Sequence, residues 1–200
     1  MKKTSLILVL LIFFTSNISL ANTYSSDPKN FVKELVTDVT NKLSDKNISK
    51  EEKAKFIEKI AIENVDINAL GLYTLGELRK SADKSSLVKY QKAFNKYFLK
   101  SLTSRLVDYS SNKFEIISDE KKNSNYTVVK SKINQGDNQP EIKIDWRIYT
   151  KNPEKPLIRD LIVEGLSLAR TQKEEFASIL NSNDNDINIL IAKLEEFSNN

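Results

Sequence analysis

Asp145, Arg147, Asp160 and Glu164 are the residues of this chain best placed to do chemistry. Two carboxylates in different surroundings can divide the work of general acid and general base. The same residues, alternating with arginine on the polar face of neighbouring strands, form a ladder of ion pairs instead. The ladder is the expectation here, with a catalytic carboxylate dyad as the alternative. Other acidic groups point the same way. Glu174-Glu175 and Glu195-Glu196 sit beside lysines on the exposed faces of expected helices, where solvated ion pairs account for them. Asp184-Asn185-Asp186-Ile187-Asn188 with Glu195 imitates the spacing of a calcium loop. Ile189 and its helix-periodic neighbours make that segment a helix start. The chain contains no histidine and no cysteine. That removes Ser-His-Asp and Cys-His nucleophiles, His/Cys metal sites and disulfides at once. Enzymes built on carboxylates, Lys, Tyr or Ser remain open on composition, and the expectation is that no residue is catalytic and none holds a metal.

The elements that hold these residues are strands in the second half of the chain. Ile142, Ile144, Trp146 and Ile148 alternate with Lys143, Asp145, Arg147 and Tyr149, as a half-buried strand requires. Strands are expected at 114–117, 126–133, 141–150 and 157–163, with polar turns at 120–125 and 135–138 and a Glu164-Gly165 turn signal after the last. Consecutive strands with short connections read as an antiparallel meander of four.

Helices occupy both ends. Asp27-Pro28 is an N-cap followed by proline at the first helical position, and Phe31, Leu35, Val36, Val39 and Leu43 follow at helical spacing. Ser49 with Glu52 gives a capping box, opening a helix through Phe56, Ile57, Ile60 and Ala61. Asp66 caps a short helix through Ile67, Leu70 and Leu75 that contains Gly71 and stops near Gly76. The longest helix spans about 83–108, on the stripe Leu87, Tyr90, Phe94, Tyr97, Phe98, Leu102, Leu106 and Tyr109. Closing helices are expected at 171–180 and 186–197. The class is α+β, with helices from both ends of the chain covering one face of a curved sheet.

Composition sets the compartment. Met1-Lys2-Lys3 precedes an apolar run from Leu6 to Phe14, and Ser19-Leu20-Ala21 offers the small residues a signal peptidase reads. Residues 1–21 are therefore expected to be a cleaved signal peptide, with Asn22 opening a single domain over 22–200. The run is about half the roughly 20 apolar residues a membrane span needs. The 31 basic and 27 acidic side chains give a net +4, and without Lys2 and Lys3 the balance is 29 against 27, or +2. Those charges are interspersed, so no basic stripe for nucleic acid stands out.

Four segments resemble the MlaC family of toluene-tolerance proteins. Val65-Asp66 followed by Leu70-Gly71 is similar to its Asp-initiated helix ahead of a Leu-Gly turn. Phe94, Tyr97, Leu102, Leu106 and Tyr109 match the spacing of its long helix. Ile144-Asp145-Trp146-Arg147 looks like its sheet motif, and the segment from Asp160 to Leu168, with Phe176 beyond, is similar to its last strand and turn. The likeness departs at Leu78-Arg79, where Trp-Arg is usual, and at Lys173, where arginine is. The resemblance implies a monomeric periplasmic carrier that encloses the acyl chains of a glycerophospholipid and leaves the headgroup largely in solvent. Bound phospholipid would be its cargo and it would need no cofactor. Its partners would be an inner-membrane ABC transporter complex with an MCE-domain subunit and an outer-membrane lipoprotein-porin complex, with outer-membrane lipid asymmetry as the outcome.

Removing a methylene from water is worth about 0.8 kcal/mol, so two acyl chains amount to about 20 kcal/mol. A soluble shuttle must therefore enclose the chains. The lining expected for that cavity is Leu75, Phe94, Phe98, Leu102, Ile144, Trp146, Ile148, Leu161 and Val163. Periodicity alone does not separate a lined cavity from a filled core. An NTF2-like cavity enzyme, or a carrier of another exported lipid or of lipoproteins, is the alternative.

Overall fold

The computed structural model describes residues 24–108, 113–134 and 140–200. The expected signal peptide, Asn22, Tyr109 and the turn at 135–138 lie outside the described residues. Asp27 caps α1 (Pro28–Ser44) by accepting the Asn30 amide at 2.9 Å. Ser49 and Glu52 exchange the two hydrogen bonds of a capping box at the head of α2 (Lys50–Asn64). Asp66 caps α3 (Ile67–Thr74), and Asp83 caps the long α5 (Lys84–Leu106) after the single turn of α4 (Leu78–Ser81). Gly71 lies inside α3, and the chain turns five residues later at Gly76, whose φ is +62°. A Cβ at Gly71 would stand 2.9 Å from the Phe94 ring, so glycine is what lets α3 lie this close to α5.

The sheet runs β1 (Lys113–Asn123), β2 (Tyr126–Asn134), β3 (Ile142–Tyr149), β4 (Leu157–Val163) and β5 (Leu166–Ser167), every neighbour antiparallel and consecutive. The meander is as read from the sequence, with a fifth strand of two residues added. Glu164 and Gly165 (φ +50° and +83°) make the two-residue turn that brings Leu166 opposite Val163. Positive φ at both positions is what such a hairpin needs. β1 reaches six residues further than expected, to Asn123, because β2 pairs with it along that length.

Helices α6 (Leu168–Asn181) and α7 (Ile187–Asn199) close the chain, α7 capped by Asp186. The sheet carries helices on both faces, which corrects the expectation that one face alone is covered. Phe31, Val32 and Leu35 of α1 and Ile60 of α2 bury Val129, Trp146 and Ile148 on one face. There the Trp146 indole donates to Ser131 Oγ at 2.9 Å, and that hydroxyl donates to the Ile144 carbonyl at 3.0 Å, so these two buried polar groups are satisfied. α3 and α6 lie on the other face. Beyond them a second core joins α3, α5, α6 and α7 around Tyr90, Phe94, Phe176 and Leu190. Burial raises the Tyr90 hydroxyl above the ordinary tyrosine range, and the hydroxyl is met by Thr74 Oγ1 at 2.9 Å and the Gly71 carbonyl at 3.1 Å.

Candidate functional site

On the face of the sheet opposite Trp146, strand alternation presents Tyr126 and Val128 of β2 and Arg147 and Tyr149 of β3. A cavity of about 600 Å³ opens here between the sheet and α3 and α6. Ala69, Leu70 and Tyr73 form its helical wall, with Ala169 at the head of α6. Tyr126, Val128, Arg147, Arg159 and Asp160 form the floor, and Lys122 with Asn123 closes the side at the β1–β2 hairpin.

Two devices shape the floor. The first is a bulge in β4. Ile148 pairs with Ile158 and Arg147 with Asp160, so Arg159 is the extra residue, and its side chain is re-aimed across the sheet. Arg159 Nε and Nη2 reach Asp66 Oδ2 at 2.8 and 2.7 Å, Nη1 donates to the Tyr126 hydroxyl at 2.8 Å, and the guanidinium lies 3.4 Å from the Tyr149 ring centroid. Burial works against this charge, and the Tyr126 and Asp66 acceptors outweigh it, so the guanidinium is held above its ordinary pKa. Asp66 is in position because its own amide donates to the Ile158 carbonyl at 2.9 Å, which ties the start of α3 to the edge of β4.

Asp160 is the second device. Its side chain is 2% exposed, and both carboxylate oxygens have polar partners. Oδ1 accepts the Ala169 amide at 3.0 Å and Oδ2 accepts the Ser167 hydroxyl at 2.7 Å, while Arg147 Nη1 lies 3.3 Å away. The carboxylate thus fastens the first turn of α6 to β4, and its negative charge suits a helix N-terminus. This is the ladder reading of Arg147 and Asp160. Glu164 serves structure too, accepting the Lys143 amide of neighbouring β3.

Of the nine residues expected to line a cavity, seven are divided between the two cores. Leu75, Phe94 and Phe98 belong to the helical core, and half-buried Leu102 lies further along α5. Ile144, Trp146, Ile148 and Leu161 belong to the core under α1, and half-buried Val163 pairs with Ile144. None of the nine is among the side chains around the 600 Å³ cavity. Leu70 connects the two descriptions, since it lines the cavity and packs against the helical core. What sequence reasoning missed is the floor on the polar face, Arg159 above all. The available signal was an arginine inside the apolar strand Leu157-Ile158-Arg159-Asp160, where a charge needs partners. Among the described residues no cluster of acidic side chains could hold a metal ion, and no helix is long and apolar enough to cross a membrane.

The family model for MlaC protein matches residues 29–196. None of the curated proteins matches. A solved structure of a phospholipid-binding protein from Ralstonia solanacearum, in complex with a phospholipid, has a similar fold at TM-score 0.68. It is 19% identical, and the alignment covers 84% of this chain and 94% of that one.

Proposed function

The chain belongs to the MlaC family, and from that premise we propose that it is a binding and transport protein for phospholipid and not an enzyme. The observation that carries the reading is the hollow between the polar face of the sheet and α3 and α6. Its volume of about 600 Å³ falls within the roughly 300–1,000 Å³ usual for sites that enclose small organic ligands. Leu70, Ala69, Val128 and Ala169 offer hydrocarbon to acyl chains, while Arg147, Arg159 and Lys122 offer cations to a charged group. Acyl chains placed here lie against Leu70, so Leu75, Phe94 and Phe98 form the layer behind the wall. Ile144, Trp146, Ile148 and Leu161 act in this proposal as rigid support within the core under α1, with half-buried Leu102 and Val163 outside both cores.

The finer proposal follows the family. Residues 1–21 export the protein to the periplasm and are removed, and 22–200 act as one monomeric domain. The carrier moves glycerophospholipid between an outer-membrane lipoprotein-porin complex and an inner-membrane ABC transporter complex with an MCE-domain subunit, which keeps the outer membrane asymmetric. Catalysis has little support, because the Asp160 carboxylate is taken up by Ser167, Ala169 and Arg147.

Native mass spectrometry of protein purified from a bacterial periplasm without detergent tests the reading. The expected spectrum contains a complex heavier than the chain by the mass of a phospholipid, with the lipid class identified after extraction. A spectrum of ligand-free chain alone, under several gentle conditions, would count against it.

A further inference from the structure

Three cations line the cavity, and their surroundings differ. Arg159 is committed. Two of its nitrogens share one Asp66 oxygen at 2.7 and 2.8 Å, a third holds the Tyr126 hydroxyl, and its plane rests on Tyr149. Lys122 has Glu120 at 2.6 Å, both side chains about half exposed, the kind of pair that water screens. Arg147 is different. Its side chain is 45% exposed, and its one ion-pair contact among the described residues is the 3.3 Å approach to Asp160. Asp160 has already given an oxygen each to Ser167 and the Ala169 amide. A guanidinium carries five N–H donors in a planar fork. Among the described residues the Arg147 side chain has no contact to a hydrogen-bond acceptor beyond the approach to Asp160, and, half-exposed, it borders the cavity.

Resting on the phospholipid reading, we propose that Arg147 recognises the phosphate of the cargo, so that the carrier selects lipids bearing a phosphate oxyanion instead of any diacyl molecule. The fork matches two phosphate oxygens at once, which a lysine cannot do. Val128, opposite Arg147 on β2, and Leu70 and Ala169 around it keep apolar surface beside the cation. One molecule can therefore set its chains against the wall and its phosphate on Arg147. Asp160 acts as the tether that holds Arg147 at the edge of the cavity without occupying its donors.

The test compares delipidated full chain binding dioleoyl phosphatidylethanolamine and dioleoylglycerol, offered in the same detergent, with inorganic phosphate and glycerophosphoethanolamine as soluble competitors. The phospholipid is expected to bind about 10- to 100-fold more tightly than dioleoylglycerol, the range of a hydrogen bond to a charged group. Arg147→Gln should erase that ratio by lowering phospholipid affinity toward that of dioleoylglycerol, and Arg147→Lys should keep part of it. Neither soluble competitor should displace lipid at comparable concentration. A ratio unaltered in both variants would overturn the assignment while leaving the carrier intact. Displacement by inorganic phosphate alone would overturn it in favour of a free-phosphate site. Failure of the unmodified chain to bind either lipid would overturn the carrier reading, and this assignment with it.

Discussion

Asp160→Ala is expected to cost about 3 kcal/mol of stability, the scale of removing one partner from a buried, hydrogen-bonded charge. In a domain of this size that lowers Tm by about 6–12 °C. The loss has identifiable parts. The Ala169 amide, in a buried residue, loses its acceptor, the Ser167 hydroxyl loses its own, and the first turn of α6 loses the negative charge at its head. Arg147 contributes little to the cost because its side chain stays in contact with water. Asp160→Asn keeps an oxygen for the Ala169 amide and should fall between the variant and the unmodified chain. Thermal melting of the three proteins decides the matter. An alanine variant of unchanged Tm that had lost some chemical activity would favour the carboxylate dyad that the structural tether replaces.

The second large effect is functional. Ala69→Trp adds an indole to the helical wall of the hollow, at a half-buried position that faces empty space and not a packed core. Overpacking costs stability where neighbours are already in contact, and here they are not. Tm should therefore move by no more than a few degrees while co-purifying lipid falls to background. Retention of lipid by a well-folded Ala69→Trp would mean that the chains lie elsewhere, with the surroundings of Phe94, Phe98 and Trp146 the first place to look.

The frame around the proposed site was legible in the sequence, and the hollow itself was not. Asp27-Pro28, Ser49 with Glu52, and Asp66 announce helix starts because a cap acts within one turn and needs nothing from the rest of the chain. Glu164-Gly165 announces its hairpin for the same local reason. The far half of β1 could not be read, since Asp119 to Asn123 are all exposed and carry no alternation, and only pairing with β2 makes them a strand. The cavity was harder still. Tyr90, Phe94, Trp146 and Ile148 have the apolar pattern of lining residues, and packing against α7 and α1 buries them completely or nearly so. No periodicity tells which helix covers which face. The hollow depends on Asp66 meeting Arg159 across 93 residues of chain, and on a bulge that displaces Arg159 from the strand's alternation. Its floor lies on the face that alternation labels polar. A tyrosine, a valine and two arginines there look like a solvated surface until α3 and α6 are set over them.

The most direct measurement is a crystal structure of the full chain purified with whatever lipid it carries. Continuous hydrocarbon density is expected between Leu70, Val128 and Ala169, with the phosphate beside Arg147. Density showing that space closed by the protein's own side chains, with the lipid absent or seated on the outer surface, would contradict it.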